Sequence, residues 1–305
     1  PILYSQINQS DTIREIEEVV ITGTLKETNQ KFLPYNVSII SKEQIKISTS
    51  TSVLDLITDY IPSIFVTQRN NMGYGVAQGS AGTITSRGLG GFPTTQVLML
   101  IDGHPQFMGI MGHHLPDAYS TLNAERIEVL RGPSSLLYGS NAMGGVINII
   151  TARPHNEGLQ GSAQVLTGSY GTYNILNSNI WKLNKLYCVI ATGIASTDGY
   201  RSNSKFTSNN GYFKVGYDLN KNFTVFSDVY LTKYKAADPG PDTINAKPGI
   251  IADIFRGYWS FSLKNSFEKF SGETRFYHNF GEHYLSDGFH SKDYHLGFQI
   301  FETIK

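Results

Sequence analysis

The sequence predicts two unlike parts: a compact α+β domain, then an antiparallel β-structure patterned like part of a membrane barrel. Three observations carry this reading. Residues 1–157 hold 10 of the 37 aromatic side chains, and residues 158–305 hold the other 27. Residues 71–145 contain 14 glycines in 75 positions, which suits short strands and tight turns. Beyond residue 158, long runs alternate apolar and polar residues between polar turns, the period of a strand with two different faces. The junction falls in the polar stretch Arg153-Pro154-His155-Asn156-Glu157-Gly158, where Pro and Gly punctuate the chain.

Composition narrows the function classes. At 305 residues, the length suggests about two domains. Charged residues are 16%, below the roughly one quarter usual for soluble domains, which argues against a generic cytosolic enzyme. Equal numbers of acidic and basic residues, 25 each, leave no basic footprint for nucleic acid. No run of about 18 apolar residues exists, so no helix is expected to cross a bilayer. The single cysteine, Cys188, excludes an internal disulfide and a four-cysteine zinc site. No His-Glu-x-x-His, Gly-x-Ser-x-Gly, dinucleotide fingerprint or Walker Lys-Ser/Thr pair is present. The expectation is a protein without catalytic residues or a resident cofactor.

In chain order, residues 1–16 read as a flexible segment. The opening Pro1–Gln6 is either the apolar end of a secretory signal peptide or an arbitrary terminus. Glu17-Glu18-Val19-Val20-Ile21-Thr22-Gly23 follows, two acids before a β-branched run. It reads either as an ordinary first strand or as a strand to be added to a partner's sheet. Val37–Ile40 reads as a strand. Ser41 and Gln44 have the capping-box spacing that starts a helix at Lys42 and carries it to Ile47. Val53, Leu56, Ile57 and Tyr60 recur at helical spacing, so a second helix is expected over Ser52–Asp59, closed by Pro62. Further strands are expected at Gln96–Ile101, Arg126–Leu130 and Gly145–Thr151, with a turn at Asp102-Gly103. Ser134 and Ser135, after Gly132-Pro133, have no assignable base and read as the start of a short helix.

A set of motifs in fixed order makes the first part specific. Ile84-Thr85-Ser86-Arg87-Gly88 precedes Val97-Leu98-Met99-Leu100-Ile101-Asp102-Gly103. Arg126-Ile127-Glu128-Val129-Leu130-Arg131-Gly132-Pro133 then leads into Leu137-Tyr138-Gly139-Ser140-Asn141-Ala142-Met143-Gly144-Gly145-Val146-Ile147-Asn148-Ile149-Ile150-Thr151. Over about 130 residues this resembles the plug domain of TonB-dependent outer-membrane receptors. One departure is Ser86, where the family's motif has an apolar residue directly before Arg-Gly. The resemblance implies a plug domain at 24–153 and a TonB box at 17–23, carried by Glu18, Val19, Val20, Ile21, Thr22 and Gly23. It therefore favours the added-strand reading of that segment.

The second part completes the fold class. Phe213, Val215, Tyr217 and Leu219 alternate with Lys214, Gly216 and Asp218. Trp259, Phe261 and Leu263 alternate with Tyr258, Ser260, Ser262 and Lys264, and Phe223–Leu231 behaves likewise. Pattern alone leaves a soluble β-sandwich open, and the plug ahead of the strands selects the barrel. The expected strands are about eight: 159–168, 172–182, 186–196, 210–219, 222–234, 254–268, 271–281 and 291–302. The resemblance implies a transporter barrel of about 22 strands. The fold class is thus an α+β plug followed by a partial antiparallel transmembrane β-barrel over 158–305. Eight strands alone would leave open edges that lipid cannot solvate, so the chain reads as a piece of a receptor about twice as long. Lys235–Asp253, with Pro239, Pro241 and Pro248, reads as a long extracellular loop; its alternative is a disordered insertion.

Candidate binding residues centre on His104-Pro105-Gln106-Phe107-Met108-Gly109-Ile110-Met111-Gly112-His113-His114, which the resemblance places at the plug's outer, apical end. Imidazole and thioether are ligands for haem iron and softer metals. His104, Phe107, Met108, Met111, His113 and His114 are therefore ligand-binding candidates, with His113 and His114 as metal ligands. The alternative is packing, with Met as filler. His283 and His290 would flank a loop at Glu282–Ser291 and could face a ligand. His278 and His295 read as solvated or interfacial, and His155 as a linker residue. By resemblance, Arg87, Glu128 and Arg131 would pair the plug with acids on the barrel wall as a releasable latch. The alternative is ordinary surface pairs worth under about 1 kcal/mol.

The resemblance implies TonB-energised uptake of a scarce metal-containing ligand through the bacterial outer membrane. Haem or a ferric chelate such as a siderophore comes first, and cobalamin is the alternative within the family. The partners are TonB on the periplasmic side, outer-membrane lipid and the small-molecule metal complex, with a surface lipoprotein left open. A reading of another class is a non-transporting adhesin or signalling receptor.

Overall fold

The structure, a computed structural model, describes residues 20–21, 28–29, 36–68, 72–74, 83–90, 96–108, 114–132, 134, 138–154, 156–240 and 249–304. The TonB-box expectation therefore falls mostly outside the described residues. Of that segment, Val20–Ile21 form strand β1, antiparallel to β2 at Thr28–Asn29.

In the N-terminal domain, local chemistry sets each element. Strand β3 spans Asn36–Ile40. Helix α1, Lys42–Ile47, starts with the anticipated capping box. Ser41 Oγ accepts from the Gln44 amide at 3.4 Å, and the Ser41 amide donates to Gln44 Oε1 at 2.8 Å. Helix α2, Val53–Tyr60, is capped by Ser52 Oγ, which accepts from the Leu54 amide at 3.2 Å. It ends two residues before Pro62, because the residue ahead of a proline is pushed out of helical geometry. Strands β4 (Ile64–Val66), β5 (Ile84–Ser86) and β6 (Leu89–Gly90) form a small antiparallel sheet. Ser86, the departure from the motif, is buried. The Ser134 carbonyl accepts from the Tyr138 amide at 3.0 Å, one helical turn, with residues 135–137 between them outside the described set.

The main sheet of this domain adds β7 (Val97–Ile101), β8 (His104–Pro105), β9 (Ala124–Arg131) and β10 (Gly145–Thr151), in the order β3-β9-β10-β7-β8. Only the β10–β7 pair is parallel. Alternation splits its apolar residues between two faces. Val97, Met99, Ile101, Ile127 and Ile147 pack under α2 with Leu54, Leu56 and Ile57. Leu98, Leu100, Leu130 and Val146 form a second cluster on the other face. Asp102 and Gly103 turn the chain from β7 to β8 with φ of 49° and 80°. Two positive φ angles in a two-residue loop are what a tight hairpin of this twist requires.

The second part is one eight-stranded sheet whose spatial order is the chain order, every pair antiparallel. Its strands are β11 (Gly158–Gly168), β12 (Thr172–Leu183), β13 (Leu186–Thr197), β14 (Phe206–Asn220), β15 (Phe223–Ala237), β16 (Ile251–Ser266), β17 (Phe270–Leu285) and β18 (His290–Ile304). Connections at one end are tight: 184–185, 221–222 and 267–269. At the other end they include 198–205 and 238–250. Long loops belong to the extracellular end of such barrels and short turns to the periplasmic end, which orients the sheet. Phe213, Tyr217, Phe261, Phe276 and Phe298 are exposed on the outer face. On the inner face, Ala191, Tyr212, Tyr230, Tyr258, Asn279 and His295 follow one another as register partners across six strands.

All eight expected strands are present, but several run further than the alternation suggested. β14 begins at Phe206 rather than at 210, and β15 and β16 continue to Ala237 and from Ile251, so the long loop shortens to 238–250. Likewise His283 and His290 do not flank a loop at Glu282–Ser291. Both lie in paired strands, and the turn is 286–289. The reason is solvent. Above the hydrocarbon a strand has water outside, so its outer residues become polar (Lys233, Lys235, Glu282, Lys292) and the apolar alternation fades while the pairing continues.

Two outcomes test this packing. An ideal Cβ on Gly297 would lie 2.0 Å from the Tyr277 ring, which fills the space across the strand. Gly297→Ala in the full-length protein is expected to cost about 1–3 kcal/mol by overpacking, read as a lower urea midpoint, and Tyr277→Leu should recover most of it. Asp55 on α2 is partly buried, which raises its pKa to about 6 against an ordinary 3.8, although the Tyr74 hydroxyl that donates to it pulls the other way. Between about pH 4 and 6 the folded domain then holds a proton that the unfolded chain has lost. Its stability should fall as pH rises through that window, by on the order of 3 kcal/mol. Asp55→Asn should flatten the slope in urea titrations.

Candidate functional site

The N-terminal domain meets the inner wall of the barrel along a buried polar seam. At its centre is the β7–β8 turn. Lys214 on β14 donates from Nζ to Asp102 Oδ2 at 2.7 Å and to Thr151 Oγ1 at 3.2 Å. Both side chains of the ion pair are almost fully buried, 0% and 3% exposed. Thr151 also serves Asp102 from its amide at 3.0 Å and from its hydroxyl at 2.6 Å. Burial alone would raise the Asp102 pKa. The neighbouring charges of Lys214 and Arg153 outweigh it and hold the carboxyl well below the usual range, so it is ionised. Arg275 on β17 donates from Nη2 to the Asp102 carbonyl at 2.8 Å and pairs with Glu273 on its own strand. Asn279 donates to the Pro105 carbonyl at 2.9 Å.

Beside Lys214 lies a second carboxylate, Asp228 on β15. It accepts from Tyr258 Oη at 3.1 Å, from Tyr212 Oη at 3.5 Å, and from Ser260 Oγ. In the sequence, Lys214 and Asp228 fall only on the polar phase of two alternating strands. The missed signal was opposite charge on the same phase of adjacent strands, where a polar interior lets side chains meet.

The His/Met segment is brought together only in part. His104 is buried in β8, between the Tyr258 ring at 4.8 Å and the Tyr277 ring at 4.3 Å. Burial first, and then the Arg275 charge, push its pKa well below the ordinary value, so the ring is neutral. Phe107 packs edge-on to His295 of β18 at 5.0 Å. Phe107 and Met108, both partly exposed, line a small gap with Tyr230, Arg256 and Asn279. Met111 and His113 lie outside the described residues.

His114, a metal-ligand candidate, has polar partners at both ring nitrogens. Its Nδ1 is 2.9 Å from the Tyr119 hydroxyl and its Nε2 is 2.7 Å from the Val97 carbonyl. With both ring nitrogens engaged and the side chain buried, it ties its own segment to β7 through Val97. His283 is likewise held within the wall, its Nε2 2.7 Å from Arg256 Nη1, while Arg256 makes a bidentate pair with Asp293 at 2.8 and 2.9 Å.

The expected latch residues are placed differently. Arg87 sits exposed in the β5–β6 turn with φ 51°. Arg131 Nη1 reaches the Pro62 carbonyl at 3.3 Å, inside the N-terminal domain. Glu128 is buried and takes Arg126 of its own strand at 2.8 Å. The described ion pair that joins the two parts is instead Lys214–Asp102. A separate cavity of about 430 Å³ lies between α1 and the inner faces of β11 and β12, lined by Lys42, Lys46, Gln160 and Gln164 among others and by none of the His/Met segment.

Comparison with known proteins bears on this arrangement. Residues 29–146 match the family model described as the TonB-dependent Receptor Plug Domain. The vitamin B12 transporter BtuB of Vibrio vulnificus is 28% identical over 231 residues, covering 72% of this chain and 34% of that protein. The chain thus spans about a third of this curated relative. Among solved structures, the alcaligin outer-membrane receptor FauA of Bordetella pertussis superposes with a TM-score of 0.70 at 15% identity, over 88% of this chain and 42% of that one. The ferripyoverdine receptor of Pseudomonas aeruginosa gives 0.71 at 14%, over 88% and 37%. At such identities the structural likeness establishes the fold.

The reading of His114 is open to a direct check. His114→Ala strands a buried hydroxyl and a buried carbonyl, each normally costing about 1–3 kcal/mol when unsatisfied. The full-length variant should unfold at lower urea, and haemin added to wild type and variant should give the same absorbance spectrum. A Soret shift lost only in His114→Ala would restore the ligand role.

Proposed function

We propose that this chain, which belongs to the TonB-dependent outer-membrane receptors through its plug domain and the barrel strands behind it, serves the energised uptake of a corrinoid or a ferric chelate. The observation that carries the reading is the seating of the plug. A folded domain is fixed against the inner barrel wall by a buried ion pair, so passage requires that the plug move. The relatives are named for vitamin B12, alcaligin and ferripyoverdine, which favours a bulky metal complex as the cargo. Haem stands behind these, since His114 is engaged within the plug. A capping surface lipoprotein draws no support from the relatives.

Each part has a place in this scheme. The ligand would settle at the extracellular end, where Phe107 and Met108 offer an apolar, partly exposed floor beside polar groups of β16 and β17. Met111 and His113, outside the described residues, remain ligand-binding candidates by their chemistry alone. Val20 and Ile21 already have extended backbone, paired with Asn29 and Thr28. TonB would take this edge as an added strand, because main-chain hydrogen bonds give affinity without a preformed pocket. Work from the inner-membrane proton gradient would then shift the plug. Of the latch candidates, Arg87 and Arg131 would reach toward other parts of the receptor, while Glu128 would hold Arg126 inside the plug.

Deleting Glu18–Gly23 from the full-length receptor should abolish uptake of radiolabelled cyanocobalamin or ferric siderophore while leaving binding in detergent unchanged. Uptake that survives the deletion sinks the proposal. Titration with haemin, cyanocobalamin and a ferric siderophore, with His113→Ala alongside, sorts the cargo. A Soret shift that disappears in His113→Ala would bring haem to the front.

A further inference from the structure

We infer that Asp228 is a second docking position for Lys214, one that takes over the lysine's charge when the plug withdraws Asp102; the inference rests on plug movement during uptake. At rest, both groups that Lys214 Nζ hydrogen-bonds, Asp102 and Thr151, belong to the plug. When the plug moves, both leave together. Lys214 itself stays on β14, fully buried while the plug is seated, with its ammonium 4.8 Å from the centre of the Phe226 ring. An ammonium left in the seam without a counter-charge, before water can reach it, adds to the cost of displacement.

The wall supplies the counter-charge. Asp228 is the register partner of Lys214 on the next strand, so the two side chains leave the same face about 5 Å apart at their bases. Asp228 is buried and makes no ion pair among the described residues. Three hydroxyls, from Tyr212, Tyr258 and Ser260, satisfy it instead. Hydroxyls can rotate away as an ammonium arrives. Asp102 is provided for as well, because Thr151 donates to it twice and travels with it.

The same arrangement recurs at the second barrel cation on the plug. Arg275 holds the Asp102 carbonyl, and Glu273, two residues away on β17, already pairs with it. Each of these barrel cations therefore has a barrel acid at hand. The ion pair can seat the plug firmly yet be exchanged rather than broken. Asp228 is a positioning residue in this account, since it touches neither cargo nor TonB.

Two measurements test it on the full-length receptor. In Asp102→Asn, the structure should show Lys214 Nζ within hydrogen-bond distance of Asp228. A lysine still turned away from Asp228 overturns the inference. Single-molecule pulling on the N-terminal tail should then need more force to extract the plug from Asp228→Asn than from wild type. Lys214→Met/Asp228→Asn should bring the force back to the wild-type level or below, a rescue that a merely structural role of Asp228 would not give. An unchanged or lower force in Asp228→Asn also overturns it. If the wild-type plug leaves only when the whole barrel unfolds, the plug-movement reading falls and takes this inference with it. A plug that leaves alone, with Asp228→Asn indistinguishable from wild type, removes only the role of Asp228.

Discussion

The structure depends on one charge placed where charge is expensive. Lys214 points into the barrel fully buried, and Asp102 on the plug neutralises it at 2.7 Å. Removing one partner of such a pair typically costs about 3–5 kcal/mol, because the other is left buried and unpaired. The geometry of the plug follows from this need. β7 and β10, apolar on both faces, carry Asp102 and Thr151 to the same edge, and the tight turn at Asp102-Gly103 offers the carboxylate to the wall. Arg275 and Asn279 then fix the carbonyls on either side of it.

The barrel wall accommodates this because its two faces obey opposite rules. Outside, aromatic and aliphatic residues meet lipid, and charge returns only toward the strand ends, at Lys233, Lys235, Glu282 and Lys292. Inside, a row of Tyr212, Tyr230 and Tyr258 presents apolar rings with hydroxyl tips. Such residues fill volume against the plug while still solvating a carboxylate. A purely apolar inner wall would hold the plug by packing alone and offer no exchangeable contacts. A fully charged one would not exclude water from the seam.

Much of this was legible in the residues. The capping box at Ser41 and Gln44, the stripe Val53, Leu56 and Ile57, and the turn at Asp102-Gly103 are local features, and each formed where expected. The eight strands were legible because lipid outside and a polar interior impose a period of two. Their ends were not, since the outer residues of β15 and β17 turn polar there while Phe206, Tyr234 and Ala236 stay buried on the inner face. The candidate site was legible as a segment, and its members separate only in the fold. His104 and His114 looked alike in sequence, yet one is wedged between two barrel tyrosines and the other is spent on Tyr119 and Val97.

By itself the sequence determined the periodicities, the caps, the turns and the ordered motifs, because these depend on neighbours a few residues away. Only the tertiary structure decided which charges pair. Asp102 and Lys214 are separated by 112 positions, and Asp102 and Arg275 by 173. Their meeting is set by strand register and by the depth to which the plug sits in the barrel. An electrostatic partnership in a dry interior depends on distance and burial, and neither quantity exists until the chain has folded.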